Sequence, residues 1–146
     1  MSSDWSLRLA THADFAFCES LSRSNMSAYR DARSIAWDPK RFLASWAQFE
    51  NFAISDGARP IGVMRLFAFD DVLEIRDLQV VPARQRAGVG RWAIERAIEM
   101  GRSRGVRELR LRVYPENPAR ALYARMGFAS AGAHDGVEHM ALALVD

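Results

Sequence analysis

The chain has 146 residues with 20 basic and 18 acidic side chains, and 49% of its residues are hydrophobic. A domain of this length can bury about 68 to 70% of its unfolded surface, so we expect one domain over residues 1–146. The composition is close to that of soluble globular proteins, which excludes a disordered chain, a collagen and a membrane bundle.

Residues 1–9 predict no export signal, because Asp4 precedes the first basic residue and no apolar core follows. No part of the chain approaches the roughly 18 consecutive apolar residues of a membrane span. Cys18 is the only cysteine, which excludes an internal disulfide and the usual cysteine-pair zinc sites. We therefore expect a cytoplasmic protein without a membrane partner, in which Cys18 packs as a small hydrophobic residue.

The pattern of apolar residues predicts alternating helices and strands. In chain order, the predicted elements are a strand over 6–9, a helix from 11 to about 21 or as far as 29, a helix after 38, strands over 51–55, 60–69 and 72–81, a helix over 88–104, a strand over 108–114, a helix from 117 to about 126, and strands over 128–131 and 137–145. Thr11 and Asp14 have the spacing of a capping box. Asp56-Gly57 is a turn sequence, which predicts an antiparallel hairpin, and the last two strands can form another.

Two glycines stand where the third long strand gives way to the following helix. The first amides of a helix lack intrahelical partners, and anions approach them closely only where side chains are small, as at Gly88 and Gly90. The loop lacks Gly-Lys-Ser/Thr and a third glycine, so neither a Walker A nor a dinucleotide loop is predicted. Residues 84–112 hold nine arginines against three glutamates. This excess favours an anionic ligand, although a solvated helix face is the alternative for part of it.

Two motifs follow one another along the chain. They are Gln-x-x-Gly-x-Gly, from Gln85 to Gly90, and Leu-Tyr-Ala-Arg-Met-Gly-Phe, ending at Phe128. In this order they resemble the GNAT superfamily of acyl-CoA-dependent N-acetyltransferases. The resemblance is strongest over about 73–128 and extends loosely over the chain. It implies a GNAT-like α/β fold, in which helices flank a central, splayed, mostly antiparallel sheet. It also implies acetyl-CoA as co-substrate, with no metal.

The resemblance assigns the CoA pyrophosphate to main-chain N–H groups of the Gln/Arg-x-x-Gly-x-Gly/Ala loop, with the preceding strand along the pantetheine and acetyl group. The implied cofactor-binding residues are Val80, Gln85, Arg86, Ala87, Gly88, Val89, Gly90, Arg91 and Asn117. Asn117 lies six residues before Tyr123, whereas the family usually has seven. Because Asn-Pro also favours a helix start, helix capping is the alternative role of Asn117. CoA carries about four negative charges, which gives the arginines a purpose. Arg84, Arg86 and Arg91 are the side-chain candidates.

Amine acetylation requires a neutral amine. At pH 7 only about 1 in 2,500 molecules of an alkylamine with a pKa near 10.4 is deprotonated, so we expect a carboxylate to remove the proton directly or through water. Glu74 and Asp77 are the candidates, and strand alternation puts them on opposite faces unless a bulge intervenes. Alternatively, water supplies the base, and the carboxylates are held by Arg76 or Arg65.

Tyr123 is the candidate acid, because the resemblance implies that its hydroxyl protonates the departing thiolate. The alternative is a ring packed on Leu122 and Phe128.

His134 and His139 resemble metal ligands by type, but we predict that they project to opposite faces and hold no metal.

The predicted function is transfer of acetyl from acetyl-CoA to a primary amine by direct attack. The acceptor amine belongs to a small molecule or to a peptide or protein. A non-catalytic acyl-CoA-binding or sensing module is one alternative, and an acetyltransferase acting on aminoacyl-tRNA is another. The net charge of only +2 argues against a nucleic-acid partner. The sequence is compatible with a monomer and with an oligomer.

Overall fold

The computed structural model describes residues 4–145. Its strands are β1 (Trp5–Leu9), β2 (Glu50–Asp56), β3 (Arg59–Phe69), β4 (Val72–Val80), β5 (Glu108–Val113), β6 (Ala129–His134) and β7 (Val137–Ala143). Its α-helices are α1 (Phe15–Asn25), α2 (Ser27–Ala32), α3 (Pro39–Gln48), α4 (Val89–Ser103) and α5 (Ala119–Arg125). The predicted order of helices and strands is therefore confirmed. Within the described residues, no helix is long and apolar enough to cross a bilayer.

The seven strands form one mixed sheet in the order β1-β2-β3-β4-β5-β7-β6. The β1–β2, β2–β3, β5–β7 and β6–β7 pairs are antiparallel, whereas β4 and β5 are parallel. The parallel register joins Val72–Ile75 to Glu108–Leu111, and β4 continues beyond it to Val80. The predicted fold class, a mostly antiparallel mixed sheet with flanking helices, is confirmed.

The residues group into two compact units. The first comprises residues 4–66 with Asp77–Ala93, and the second comprises Phe67–Arg76 with residues 94–145. The single domain expected over residues 1–146 stays a prediction.

The first unit is built around the inner face of α1. Cys18, Leu21 and Val63 form a buried cluster, and burial raises the pKa of the Cys18 thiol to about 11. The predicted packing role of Cys18 is therefore confirmed. The capping box is present as well, since the Thr11 amide donates to Asp14 at 2.8 Å. The Arg8 guanidinium lies 2.8 Å from both oxygens of Asp14 and lowers the pKa of that carboxyl to about 2.

The second unit has its core on one face of β5 and β7. Leu109, Leu111 and Met140 are buried there. Arg120 of α5 donates to both carboxylate oxygens of Glu138 on β7, at 2.5 and 2.9 Å. This bidentate pair fastens α5 to β7 and lowers the pKa of Glu138.

Gly62 lets β3 approach β4 closely. An added β-carbon there would lie 2.6 Å from the backbone oxygen of Gln79. We expect Gly62→Ala to lower the free energy of unfolding by about 1 to 3 kcal/mol, the usual cost of overpacking. Urea denaturation measures it. Gly57→Asn is the control, because Gly57 has φ +59 and nothing within 4 Å of an added β-carbon, and Asn tolerates that conformation. An unchanged urea midpoint for Gly62→Ala would contradict the close approach.

Candidate functional site

The end of β4 in the first unit is held by side chains on one edge and by the sheet on the other. The Val80 carbonyl accepts hydrogen bonds from Asn25 Nδ2 and Gln85 Nε2, each at 3.0 Å. The next amide, Val81 N, donates to the Ile61 carbonyl at 2.9 Å. Gln85, which begins the glycine motif, is thus tied back to the strand that precedes it.

The glycine loop turns the chain from β4 into α4. Residues Pro82–Arg84 form a 3-10 turn, and then Arg86 and Gly88 adopt left-handed backbone conformations with φ of +63 and +91. The Trp92 amide donates to the Gly88 carbonyl at 3.0 Å, which sets Gly88 at the start of the helix. By the geometry of any α-helix, the amides of Val89 and Gly90 have no preceding carbonyl to bond within the helix. The loop therefore has the backbone of an anion cradle.

The three candidate arginines differ in their surroundings. Arg84 Nη1 lies 2.6 Å from Asp56 Oδ2 in the β2–β3 hairpin, so its charge is already matched by a carboxylate. The side chains of Arg86 and Arg91 are exposed. Ala87 is exposed between Arg86 and Gly88, whereas Val89 is buried and anchors the first turn of α4.

Asp77 belongs to the first unit and has several close polar neighbours. Its Oδ2 accepts from Ser22 Oγ at 2.6 Å and lies 3.6 Å from Arg65 Nη1. Its Oδ1 accepts from Gln79 Nε2 at 2.9 Å. Both carboxylate oxygens are therefore engaged, including by the ion pair with Arg65 that was one alternative from the sequence.

Glu74 belongs to the second unit and is only 4% exposed. Its Oε1 lies 3.1 Å from Arg76 Nη1, and its Oε2 lies 3.6 Å from Arg112 Nε. The register sets Glu74 opposite Arg110 on β5. A buried carboxylate among arginines is the other arrangement that the sequence left open.

Tyr123 and Asn117 also lie in the second unit. Tyr123 is half-buried in α5, with its ring centroid 6.1 Å from that of Phe128, so the packing expected for this ring is present. Asn117 Oδ1 accepts from the Ala119 amide at 3.0 Å. This bond satisfies one of the orphan amides at the start of α5, which is the capping alternative for Asn117.

The prediction that His134 and His139 project to opposite faces is wrong, because their ring centroids lie 5.6 Å apart. The alternation of side chains between two faces along one strand does not by itself give the faces of residues on the paired strand of a hairpin. His134 pairs with Val137, and His139 is two residues further along the same face of β7. Among residues 4–145, no group of three or more His, Cys, Asp or Glu side chains is arranged to hold a metal ion.

The structure thus groups the candidate residues by unit. The first unit holds Asp77, Val80, Gln85, Arg86, Ala87, Gly88, Val89, Gly90 and Arg91, and the second holds Glu74, Asn117 and Tyr123. The sequence interpretation did not predict the contacts that Ser22, Asn25 and Gln79 make with Asp77 or Val80. A signal was present, since Ser22 and Asn25 follow the buried Cys18 at helical spacings of four and seven.

Comparison with known proteins identifies the family. Residues 16–128 match the Acetyltransferase (GNAT) family model, and the chain belongs to this family. Its fold is similar to that of the ribosomal-protein-S18-alanine N-acetyltransferase from Escherichia coli, with 23% identity, a TM-score of 0.77, and coverage of 97% of this chain and 95% of that one. It is also similar to the spermidine N-acetyltransferase from Vibrio cholerae in complex with CoA and spermine, with 22% identity, a TM-score of 0.77, and coverage of 97% and 96%. The predicted GNAT resemblance is confirmed.

The backbone cradle generates a prediction at Gly90, which lies in the first turn of α4. We expect Gly90→Val to abolish acetyl-CoA binding measured by calorimetry, because a branched side chain blocks the approach of a phosphate to the helix amides. The fold is retained, since valine is a better helix former than glycine. Gly90→Ala is the matched control and retains binding, because alanine occurs at this position of the resembling motif. A folded Gly90→Val protein with unchanged affinity would exclude a phosphate at this turn.

Gly90 is preferable to Gly88 for this experiment. Gly88 has φ +91, so any side chain there strains the loop even without touching a ligand. Arg86→Gly completes the design, because glycine keeps the left-handed conformation at residue 86 and removes only the guanidinium. Retained affinity in Arg86→Gly assigns binding to the backbone, and a loss assigns it to the charge.

Proposed function

We propose that this chain is an acetyl-CoA-dependent N-acetyltransferase that transfers the acetyl group to a primary amine by direct attack. The observation that carries the proposal is the strand–turn–helix from Val80 to Arg91, with left-handed residues at Arg86 and Gly88 and small residues at the helix start. A matching GNAT family model over residues 16–128 supports it. Acetyl-CoA brings an activated thioester, so the protein needs to supply only binding, polarisation and proton transfer.

The binding residues of this proposal lie on the turn between β4 and α4. The main-chain donors from Arg86 to Arg91 hold the pyrophosphate, and the exposed guanidiniums of Arg86 and Arg91 add positive charge nearby. Val80, at the end of β4, lies along the pantetheine. Its amide polarises the acetyl carbonyl, a role for which removal of one donor in other oxyanion sites costs roughly 2.7 to 4 kcal/mol.

Tyr123 and Glu74 are the proposed acid and base. Tyr123 protonates the departing thiolate, because its phenolic hydroxyl can act as a general acid toward the sulfur. Glu74 receives the amine proton through water, since its burial excludes direct contact with a bulky acceptor. Asn117 is proposed as a cofactor contact only through the amide nitrogen of its side chain, because its oxygen caps α5.

Tyr123→Phe tests the acid. We expect kcat to fall about 10-fold or more, while melting temperature and acetyl-CoA affinity change little, because the ring still packs on Phe128. The assay screens amines and reads free CoA thiol. Cys18 contributes little signal, since its thiol is buried with a pKa raised to about 11. Tyr114→Phe is the matched control and retains the wild-type rate. Wild-type turnover by Tyr123→Phe would assign thiolate protonation to solvent or another group.

Glu74→Gln tests the base. We expect kcat/KM to fall by about 10² to 10⁴, with acetyl-CoA affinity spared, because only proton removal is lost. Glu108→Gln is a matched control, since Glu108 also lies within 3.0 Å of two arginines, Arg107 and Arg110. A Glu74→Gln enzyme as fast as Glu108→Gln would leave water as the base and give Glu74 a structural role.

The acceptor is a small-molecule amine or an amine of a peptide or protein. The two relatives described above differ in this respect, since one is named for a ribosomal protein and the other for spermidine. The amine screen therefore includes polyamines, amino acids and peptide N-termini. We place the reaction in the cytoplasm.

The screen also separates the two alternatives. Tight acetyl-CoA binding without turnover of any amine would indicate a sensing module. An aminoacyl-tRNA acceptor predicts salt-dependent retention on RNA. Arg96, Arg107, Arg110 and Arg112 lie 2.8 to 3.6 Å from carboxylates, so much of the basic segment is neutralised locally, and this alternative is the weaker one.

A further inference from the structure

Val80 carries its peptide groups on the edge of β4 away from β3. Val81 N donates to Ile61 on β3, and within one trans peptide group the N–H and the C=O point in opposite directions, so the Val80 C=O lies on the other edge. The N–H and C=O of one strand residue point to the same edge, so the Val80 N–H lies there too. On that edge the carbonyl is already occupied by the side-chain amides of Asn25 and Gln85. Two donors of fixed position hold the Val80–Val81 peptide, and because the Val80 N–H belongs to the adjoining peptide on the same edge, holding this carbonyl restricts the backbone of Val80 and with it the direction of that N–H.

Asn25 is itself oriented by a chain of side chains. Its Nδ2 also donates to Gln79 Oε1 at 3.2 Å, and Gln79 Nε2 donates to Asp77 Oδ1 at 2.9 Å. An amide side chain can be turned over by half a rotation at little cost unless its partners differ. Asp77 accepts only, so it requires the NH₂ of Gln79. That choice presents the Gln79 oxygen to Asn25 and makes Asn25 a donor to Val80.

Asp77 is itself held in place by Ser22 and Arg65. Ser22 Oγ donates to its Oδ2 at 2.6 Å, and Arg65 Nη1 lies 3.6 Å from the same oxygen. Arg65 is 4% exposed and donates through Nε to Asn51 Oδ1 at 2.9 Å. Its guanidinium lies 4.2 Å from the Phe42 ring centroid and 4.9 Å from that of Phe49. A buried guanidinium between two rings moves little, so it is a rigid anchor.

We propose that Asp77 is a positioning residue, which acts through Gln79 and Asn25 to fix the Val80 peptide, and that it is not the base. The proposal rests on the proposed function, since the Val80 N–H matters because it polarises the acetyl carbonyl. A base needs an oxygen that faces the amine or a water. Both oxygens of Asp77 instead accept bonds that belong to the relay Asp77–Gln79–Asn25–Val80.

Kinetics test the relay. We expect Asp77→Asn, Gln79→Met and Asn25→Ala each to lower kcat by about 10- to 100-fold, because each releases the Val80 peptide from its orientation. Acetyl-CoA affinity and the pH profile of kcat/KM stay unchanged. Double variants fall no further than single ones, since all three break one linkage. Asp71→Asn, an exposed carboxylate outside the relay, is the matched control and retains the wild-type rate.

Gln79→Met decides between the two roles even if Asp77→Asn does not fold without its partner for Arg65. If Asp77 is the base, Gln79→Met is nearly wild type, and Asp77→Asn alone removes the acidic limb of the pH profile. Either of these results would overturn the proposal.

A second measurement does not depend on activity. In ¹H–¹⁵N spectra, Gln79→Met and Asn25→Ala should shift the Val80 and Val81 amide signals in the same direction and speed their hydrogen exchange, whereas Asp71→Asn should not. Unchanged Val80 and Val81 signals would show that no relay exists. If the relay is confirmed by these spectra but the wild type acetylates no amine, the proposed function fails and the structural linkage stands.

Discussion

A strand that parts from one of its neighbours must find other partners for the peptide groups on that edge, and in this protein that requirement organises the end of β4 in the first unit. β4 extends past the four residues that pair with β5, and the carbonyl at its end is bonded by Asn25 and Gln85. The two amides satisfy that carbonyl, and because Gln85 opens the glycine loop, the same contacts set where the loop begins.

The buried Arg65 makes the loss of its partner Asp77 costly in stability. Taking one partner from a buried ion pair costs roughly 3 to 5 kcal/mol, because the remaining charge stays in a medium of low polarity. Arg65 meets Asp77, Asn51 and two aromatic rings. A chain that only needed stability would fill such a place with apolar side chains of the same volume. A fixed charge is useful where an acceptor must point in one direction, as Asp77 does toward Gln79.

The sequence predicted the elements, the hairpins and the loop because their signals are local. A capping box, a turn dipeptide and the spacing from Gln85 to Gly90 each lie within six residues. The contacts of Ser22 and Asn25 with β4 span 55 residues in sequence, and no local pattern names the partner of a polar residue on a buried helix face. The prediction for His134 and His139 was wrong for a related reason. The register between β6 and β7 decides which side chains share a face, and that register cannot be read from either strand alone. The left-handed conformation of Arg86 had no signal either, because arginine has no preference for it.

The roles proposed for Glu74 and Asp77 differ although the two carboxylates lie on one strand. Their residue type and their position before the loop are the same, so the sequence left the choice of base open. The difference lies in the partners. Asp77 binds a serine and a glutamine as well as an arginine, and neutral donors of fixed geometry hold a carboxylate in one orientation. Glu74 lies 3.1 and 3.6 Å from two guanidiniums. An environment made of directional bonds suits a group that must stay where it is, as proposed for Asp77, and this leaves Glu74 as the proposed base.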